Sequence, residues 1–147
     1  MEPLLQNDPN PKIPYFLGWA GLVPFGSAAL VTHSGIDAFV LYGFLGGTAY
    51  GAVILSFLGA VHWGLAMRED RSPHWYVWSI TPALLGFATL LIFDVEIRIV
   101  ALIPLFALTW LIDRQAFKHG LIPDWYLQLR TILTAGAIIS LAAMLLA

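Results

Sequence analysis

Cysteine is missing from all 147 residues. That excludes disulfides, thiolate nucleophiles, iron–sulfur clusters and cysteine-ligated zinc. Charge is scarce as well: 11% of residues are Asp, Glu, Lys or Arg, against about 25% in soluble domains. Seven basic and nine acidic side chains leave a formal charge of −2. No basic stripe exists for a nucleic acid to follow, so nucleic acid is not expected as a partner. There is no phosphate-cradling loop followed by lysine, and no nucleophile elbow around any serine. The four histidines, His33, His62, His74 and His119, never fall at i, i+3 or i, i+4, so no helix offers a metal a ready-made pair. No metal site and no catalytic residue is expected, and the chain reads as a protein without enzymatic activity.

Apolar side chains, by contrast, make up 59% of the chain. A water-soluble fold of this size could not hide them, because small domains leave much of their surface in water. A bilayer removes the difficulty. A helical span needs about 20 mostly apolar residues, and five runs qualify, over residues 13–32, 39–65, 75–93, 97–112 and 125–147. They lack the two-residue alternation of barrel strands, and a closed barrel is the only other way to cross a membrane. The expected fold is an all-α bundle of five transmembrane helices forming one domain over residues 13–147. The second run is long enough to tilt or protrude. The fourth is short, with Arg98 able to snorkel at its end.

Residues 1–12 hold Pro3, Pro9 and Pro11 together with Glu2 and Asp8. This start lacks the positive, apolar plan of a secretory signal, and a disordered, Pro-rich tail is expected there. Orientation follows from the basic residues. Lys12, Arg68, Arg71, Arg114, Lys118 and Arg130 fall on one side of the five-span plan, and Arg98 alone on the other. By the positive-inside rule the N-terminus is expected inside and the C-terminus outside. Trp63, Trp75, Tyr76, Trp78, Trp110, Trp125 and Tyr126 gather near the inner boundary, where amphipathic rings anchor helices. Beyond the fourth run, Gly120 signals a helix C-cap and Asp124 an N-cap for the last helix.

The second run carries small residues at four-residue spacing, Gly43, Gly47 and Gly51, with Gly59 further along. Such residues let helix backbones approach closely where no hydrophobic effect drives association. The second helix is therefore expected at the centre of the bundle. At 100° per residue His62 lies within roughly 60° of Gly59, Leu55, Gly51 and Thr48, so it points into the bundle. Pro24, Pro82 and Pro104 interrupt three spans, and ordinary kinking explains them.

Arg130 falls roughly 8 Å past Trp125 along the last helix. A charge at that depth costs about 2.5–3.5 kcal/mol unless it is paired or snorkels. Asp113, in the same leaflet, is the expected partner, with Asp124 and Glu69 as alternatives. Tyr126, one turn earlier, could place its ring under the guanidinium. A structural ion pair and plain aromatic anchoring account for these residues without any ligand. The functional alternative groups His62, Trp63, Asp113, Tyr126 and Arg130 as a polar cluster beside an apolar cavity, able to hold a lipid headgroup or a quinone.

Three runs resemble an uncharacterised family of small five-span membrane proteins that includes the bacterial relatives of mitochondrial transmembrane protein 69. They are Gly18-Trp19-Ala20-Gly21-Leu22-Val23-Pro24-Phe25, the stretch from Tyr50 through His62-Trp63-Gly64, and Trp125-Tyr126-Leu127-Gln128-Leu129-Arg130 with Leu133-Thr134. The resemblance implies five spans and an energy-coupling membrane, bacterial inner or mitochondrial inner. It lends no reaction. The expected function is non-enzymatic binding of a lipid, a quinone or a membrane-protein partner, which could be a second copy of the chain, in an accessory or scaffold role. A small transporter or channel, and an enzyme acting on a lipid headgroup, are the rival readings. No cofactor is expected beyond a bound lipid or quinone.

Overall fold

The computed structural model describes residues 12–69 and 73–147, without the side chain of Glu69. The Pro-rich tail, except for Lys12, lies outside the described residues, as does Arg71. Five helices follow one another: α1 (Lys12–Thr32), α2 (Asp37–Glu69), α3 (His74–Leu90), α4 (Val95–Lys118) and α5 (Asp124–Met144). Consecutive helices run in opposite directions. Arg68, Arg114 and Lys118 therefore share one end of the bundle, called here the basic end.

Four of the five, α1, α2, α4 and α5, are long and apolar enough to cross a membrane. The third is not. The run expected over residues 75–93 stops at Leu90, leaving α3 with 17 residues, about 26 Å. The reason lies in the next turn. Asp94 accepts hydrogen bonds from the backbone N–H of Glu96 at 2.9 Å and of Ile97 at 3.1 Å. That side chain caps α4 and starts it two residues before the apolar run begins. Arg98 closes the same turn, donating through Nη2 to the Ile92 carbonyl at 2.7 Å.

At its other end α4 outlasts the expected span, because the polar stretch after Ile112 stays helical to Lys118. Gly120, at φ +68°, ends it. Its N–H reaches the Phe117 carbonyl at 2.8 Å, and the Leu121 N–H reaches that of Ala116 at 3.0 Å. The left-handed turn suits a residue without Cβ. Pro123, not Asp124, occupies the N-cap position of α5. Asp124 is instead the first helical residue, where its charge complements the helix dipole.

Helix α2 touches all four other helices. A Cβ at Gly43 would meet Ala28 and Thr32 of α1, and one at Gly47 would meet Met144 of α5 and Ala28. At Gly51 it would meet Leu102 and Phe106 of α4, and at Gly59 it would land on the Ser79 carbonyl of α3. The central core is built from Phe25, Leu55, Ile99, Leu102, Phe106 and Leu141. Phe25 sets its ring edge-on to Tyr50 and Phe106, at 5.0 and 5.7 Å. A second cluster around Trp75, Ile112, Ala116 and Leu121 closes the basic end. Large apolar side chains such as Phe16, Leu30, Tyr42, Phe57 and Phe87 cover the outside, as hydrocarbon surroundings require.

The helices are offset lengthwise. Gly51 of α2 lies level with Leu102 of α4, and Ala52 with Gly86 of α3. From that register α2 runs roughly 10 Å beyond the α3–α4 turn at the end away from the basic residues.

Candidate functional site

Between the two core clusters α2, α4 and α5 each contribute one buried polar side chain. Arg130 Nε donates to Asp113 Oδ2 at 2.6 Å, and His62 Nε2 meets Asp113 Oδ1 at 3.0 Å. The side chains are 5%, 3% and 3% exposed respectively for Arg130, Asp113 and His62. Each sits roughly 8–10 Å inside its helix from the basic end. The imidazole stacks on Trp75 of α3, with centroids 5.6 Å apart and an interplanar angle of 13°. So Asp113 holds two donors from two helices, and the aromatic ring of a third fixes the imidazole plane.

Chemically, this is a paired buried ion with a third group attached. Leaving either ion alone would be expensive. His62 Nδ1 is buried and has no hydrogen-bond partner among the described residues. An imidazolium would bury a second N–H there, unpaired. The geometry therefore fits the neutral tautomer with its proton on Nε2, shared with Asp113.

Beside this network lies a cavity of about 410 Å³, within the 300–1,000 Å³ range of small-molecule pockets. Its walls come from α1, α2 and α5, with Phe106 of α4 at the back. They are apolar except near Tyr126, Arg130 and Thr134. Two of those polar residues are incompletely paired: Arg130 Nη2 and Thr134 Oγ1 are buried and have no hydrogen-bond partner among the described residues. Thr134 is singular in this respect. Every other serine and threonine in the five helices donates back to a carbonyl three or four residues earlier, the usual refuge of a hydroxyl in a helix.

The cavity exists because α1 and α2 diverge. At the end away from the basic residues they are tight against each other at Gly43. Towards the basic end α1 leans on α5 instead: a Cβ at Gly18 would meet Leu133 and Leu129, and Tyr15 donates to the Trp125 carbonyl at 3.4 Å. Helix α2, meanwhile, leans on α3 through Gly59. Ile13, Leu17 and Phe57 both line the gap and lie on the outer surface, so it opens sideways.

Of the residues singled out from sequence, the structure brings His62, Asp113 and Arg130 into one network and puts Tyr126 with Arg130 on the cavity wall. Trp63 lies elsewhere. It is 46% exposed on the outer face of α2 and meets Tyr76 edge-on at 5.2 Å. Asp124 is exposed and takes no part. Arg114 stands over the Trp110 ring at 5.6 Å, a cation–π contact of the kind expected for Arg130 over Tyr126. Thr134, which the sequence offers only within a resembling run, was not among the expected site residues, although its place one turn after Arg130, on the same helical face, was a usable signal.

A helical bundle sheathed in apolar side chains, with its charges paired inside, defines a membrane-embedded protein. The chain belongs to the family described as "Protein of unknown function (DUF3429)", whose model matches residues 10–146. It is similar to "Transmembrane protein 69" of Xenopus tropicalis, at 37% identity over 97% of this chain and 56% of that protein. The Mus musculus protein of the same name is 28% identical over 93% of this chain and 57% of its own length. The chain thus spans little more than half the length of the curated relatives it matches. No solved structure matches it.

Proposed function

We propose that this is a non-enzymatic membrane protein that binds the polar head of a lipid or quinone in the cavity beside Arg130, in an accessory or scaffold role. One observation carries the reading: Arg130 and Thr134, each holding a buried polar atom without a hydrogen-bond partner among the described residues (Nη2 and Oγ1), are both lining residues of an otherwise apolar cavity. A buried donor without an acceptor costs about 1–3 kcal/mol, and an acceptor on a ligand would recover it. Asp113 fixes the guanidinium, His62 fixes Asp113, and Tyr126 walls the cavity. The sideways opening suits a ligand whose tail stays in the bilayer.

We further read the chain as crossing the membrane five times, with α3 as the shortest span. The basic end faces the cytoplasm, or the matrix if the membrane is the mitochondrial inner one. Six of the seven Lys and Arg residues on that side support this orientation.

The test is ligand content. The full chain and its Thr134→Val and Arg130→Lys variants are isolated from native membrane in lipid-retaining particles, and bound lipids and quinones are weighed per protein. One species enriched over bulk lipid in the parent, and several-fold depleted in both variants, is expected. Equal content in all three would refute the reading.

A further inference from the structure

We infer that the head bound in this cavity is an electrically neutral carbonyl, of the quinone or ester class, and not a phosphate or carboxylate. The inference rests on the binding reading above and narrows it to one ligand chemistry.

The argument is a charge count. Arg130 is the cationic group in the wall, yet its charge is already matched by Asp113 at 2.6 Å. His62 donates to the same carboxylate, and its bare Nδ1 fits a neutral ring. Arginine, aspartate and histidine together therefore sum to zero. What they leave over is hydrogen-bonding capacity without net charge: the N–H groups on Nη2 of Arg130 and the hydroxyl of Thr134. A phosphate or carboxylate entering here would carry one uncompensated negative charge into an apolar enclosure, which is costly. A carbonyl oxygen brings no net charge and has two lone pairs for two donors. Arg130 and Thr134 stand one helical turn apart on the same side of α5, so both can serve one head. Among the serine and threonine hydroxyls of the five helices, the one without an internal partner marks the second donor.

The full chain, delipidated in mild detergent, is titrated with four medium-chain probes: a decyl benzoquinone, dioctanoylglycerol, decyl phosphate and decylbenzene. Binding is read by native mass spectrometry. The quinone or the diester should bind at least tenfold tighter than decyl phosphate, and whichever of the two binds tighter identifies the source of the carbonyl. Thr134→Val, which keeps the shape and the charge count, should weaken the neutral carbonyl probe several-fold and leave decylbenzene unchanged. Asp113→Asn removes the matching charge, so decyl phosphate should gain on the neutral probes by tenfold or more. If that variant does not fold, the ranking on the parent chain and on Thr134→Val decides. Tighter binding of decyl phosphate to the parent chain overturns the neutral-head inference and leaves the binding reading intact. Equal binding of all four probes, decylbenzene included, overturns both.

Discussion

Take the buried pair apart one partner at a time. Asp113→Leu strands the Arg130 guanidinium among apolar neighbours, and Arg130→Met strands the Asp113 carboxylate. Two opposite charges about 4 Å apart attract by about 4 kcal/mol at an effective dielectric of 20, and removing one member of a buried pair costs about 3–5 kcal/mol. For a chain of this length each 1 kcal/mol moves the midpoint by roughly 4 °C. Each single substitution should therefore lower thermal stability by roughly 10–20 °C. The double variant differs in kind. Exchanging both ions for apolar groups is close to neutral on its own, but it also deprives His62 Nε2 of its acceptor, at about 1–3 kcal/mol. The double variant should consequently be more stable than either single one, with a coupling of about 3 kcal/mol or more. Thermal unfolding of the purified full chain in one detergent, followed by tryptophan emission, measures all four corners. Losses that simply add would refute the argument, because they would mean that the two charges do not hold each other.

Gly59→Ala should cost about 1–3 kcal/mol, since its Cβ would strike the Ser79 backbone carbonyl, which cannot swing aside. Gly64→Ala, with open space around it, is the matched control and should change stability by less than about 0.5 kcal/mol; equal effects at the two sites would contradict the α2–α3 packing. Thr134→Val should leave the ligand-free chain as stable as the parent or slightly more so, because it deletes an unpaired buried hydroxyl. A marked loss of stability on delipidated protein would show that the hydroxyl serves the fold. Single cysteines placed at Pro73 and Phe93 of this cysteine-free chain should label from opposite sides of sealed vesicles if α3 crosses the membrane. Labelling from one side would reduce the spans to four.

Much of the bundle was legible because helix geometry and the cost of buried charge leave few choices. A charge such as Arg130, well inside a span, needs a counter-ion in the same leaflet, and Asp113 on α4 was the acid at a matching depth. His62 shares a face with the small residues of α2, which turns it inward. The same arithmetic should have excluded Trp63 from the pocket, since adjacent helical residues point 100° apart and His62 already holds the inner face. The boundaries of α3 and α4 were harder. They depend on whether the Asp94 side chain meets two backbone N–H groups, and composition gives no sign of that. The cavity itself could not be read at all. It arises from α1 leaning on α5 while α2 leans on α3, a consequence of four separate contacts distant in sequence. Thr134, one turn beyond Arg130 on the same helical face, offered a faint signal that a single hydroxyl in a span does not usually carry, and the divergence gave it weight.

The lengthwise offset of the helices shapes the surrounding membrane as well. Phe39, Leu41 and Tyr42 stand exposed on the part of α2 that overtops the α3–α4 turn, while Asp94 and Glu96 mark the water level at that turn. A flat bilayer cannot wet the two acids and cover the three apolar side chains at once. On the five-span reading proposed above, its surface would instead dip by roughly 6 Å around one flank of the molecule, and over that dimple the 17 residues of α3 would be long enough to cross. Lipids with short or disordered chains fill such a depression at least cost. The protein would then carry its own patch of thinned membrane wherever it resides.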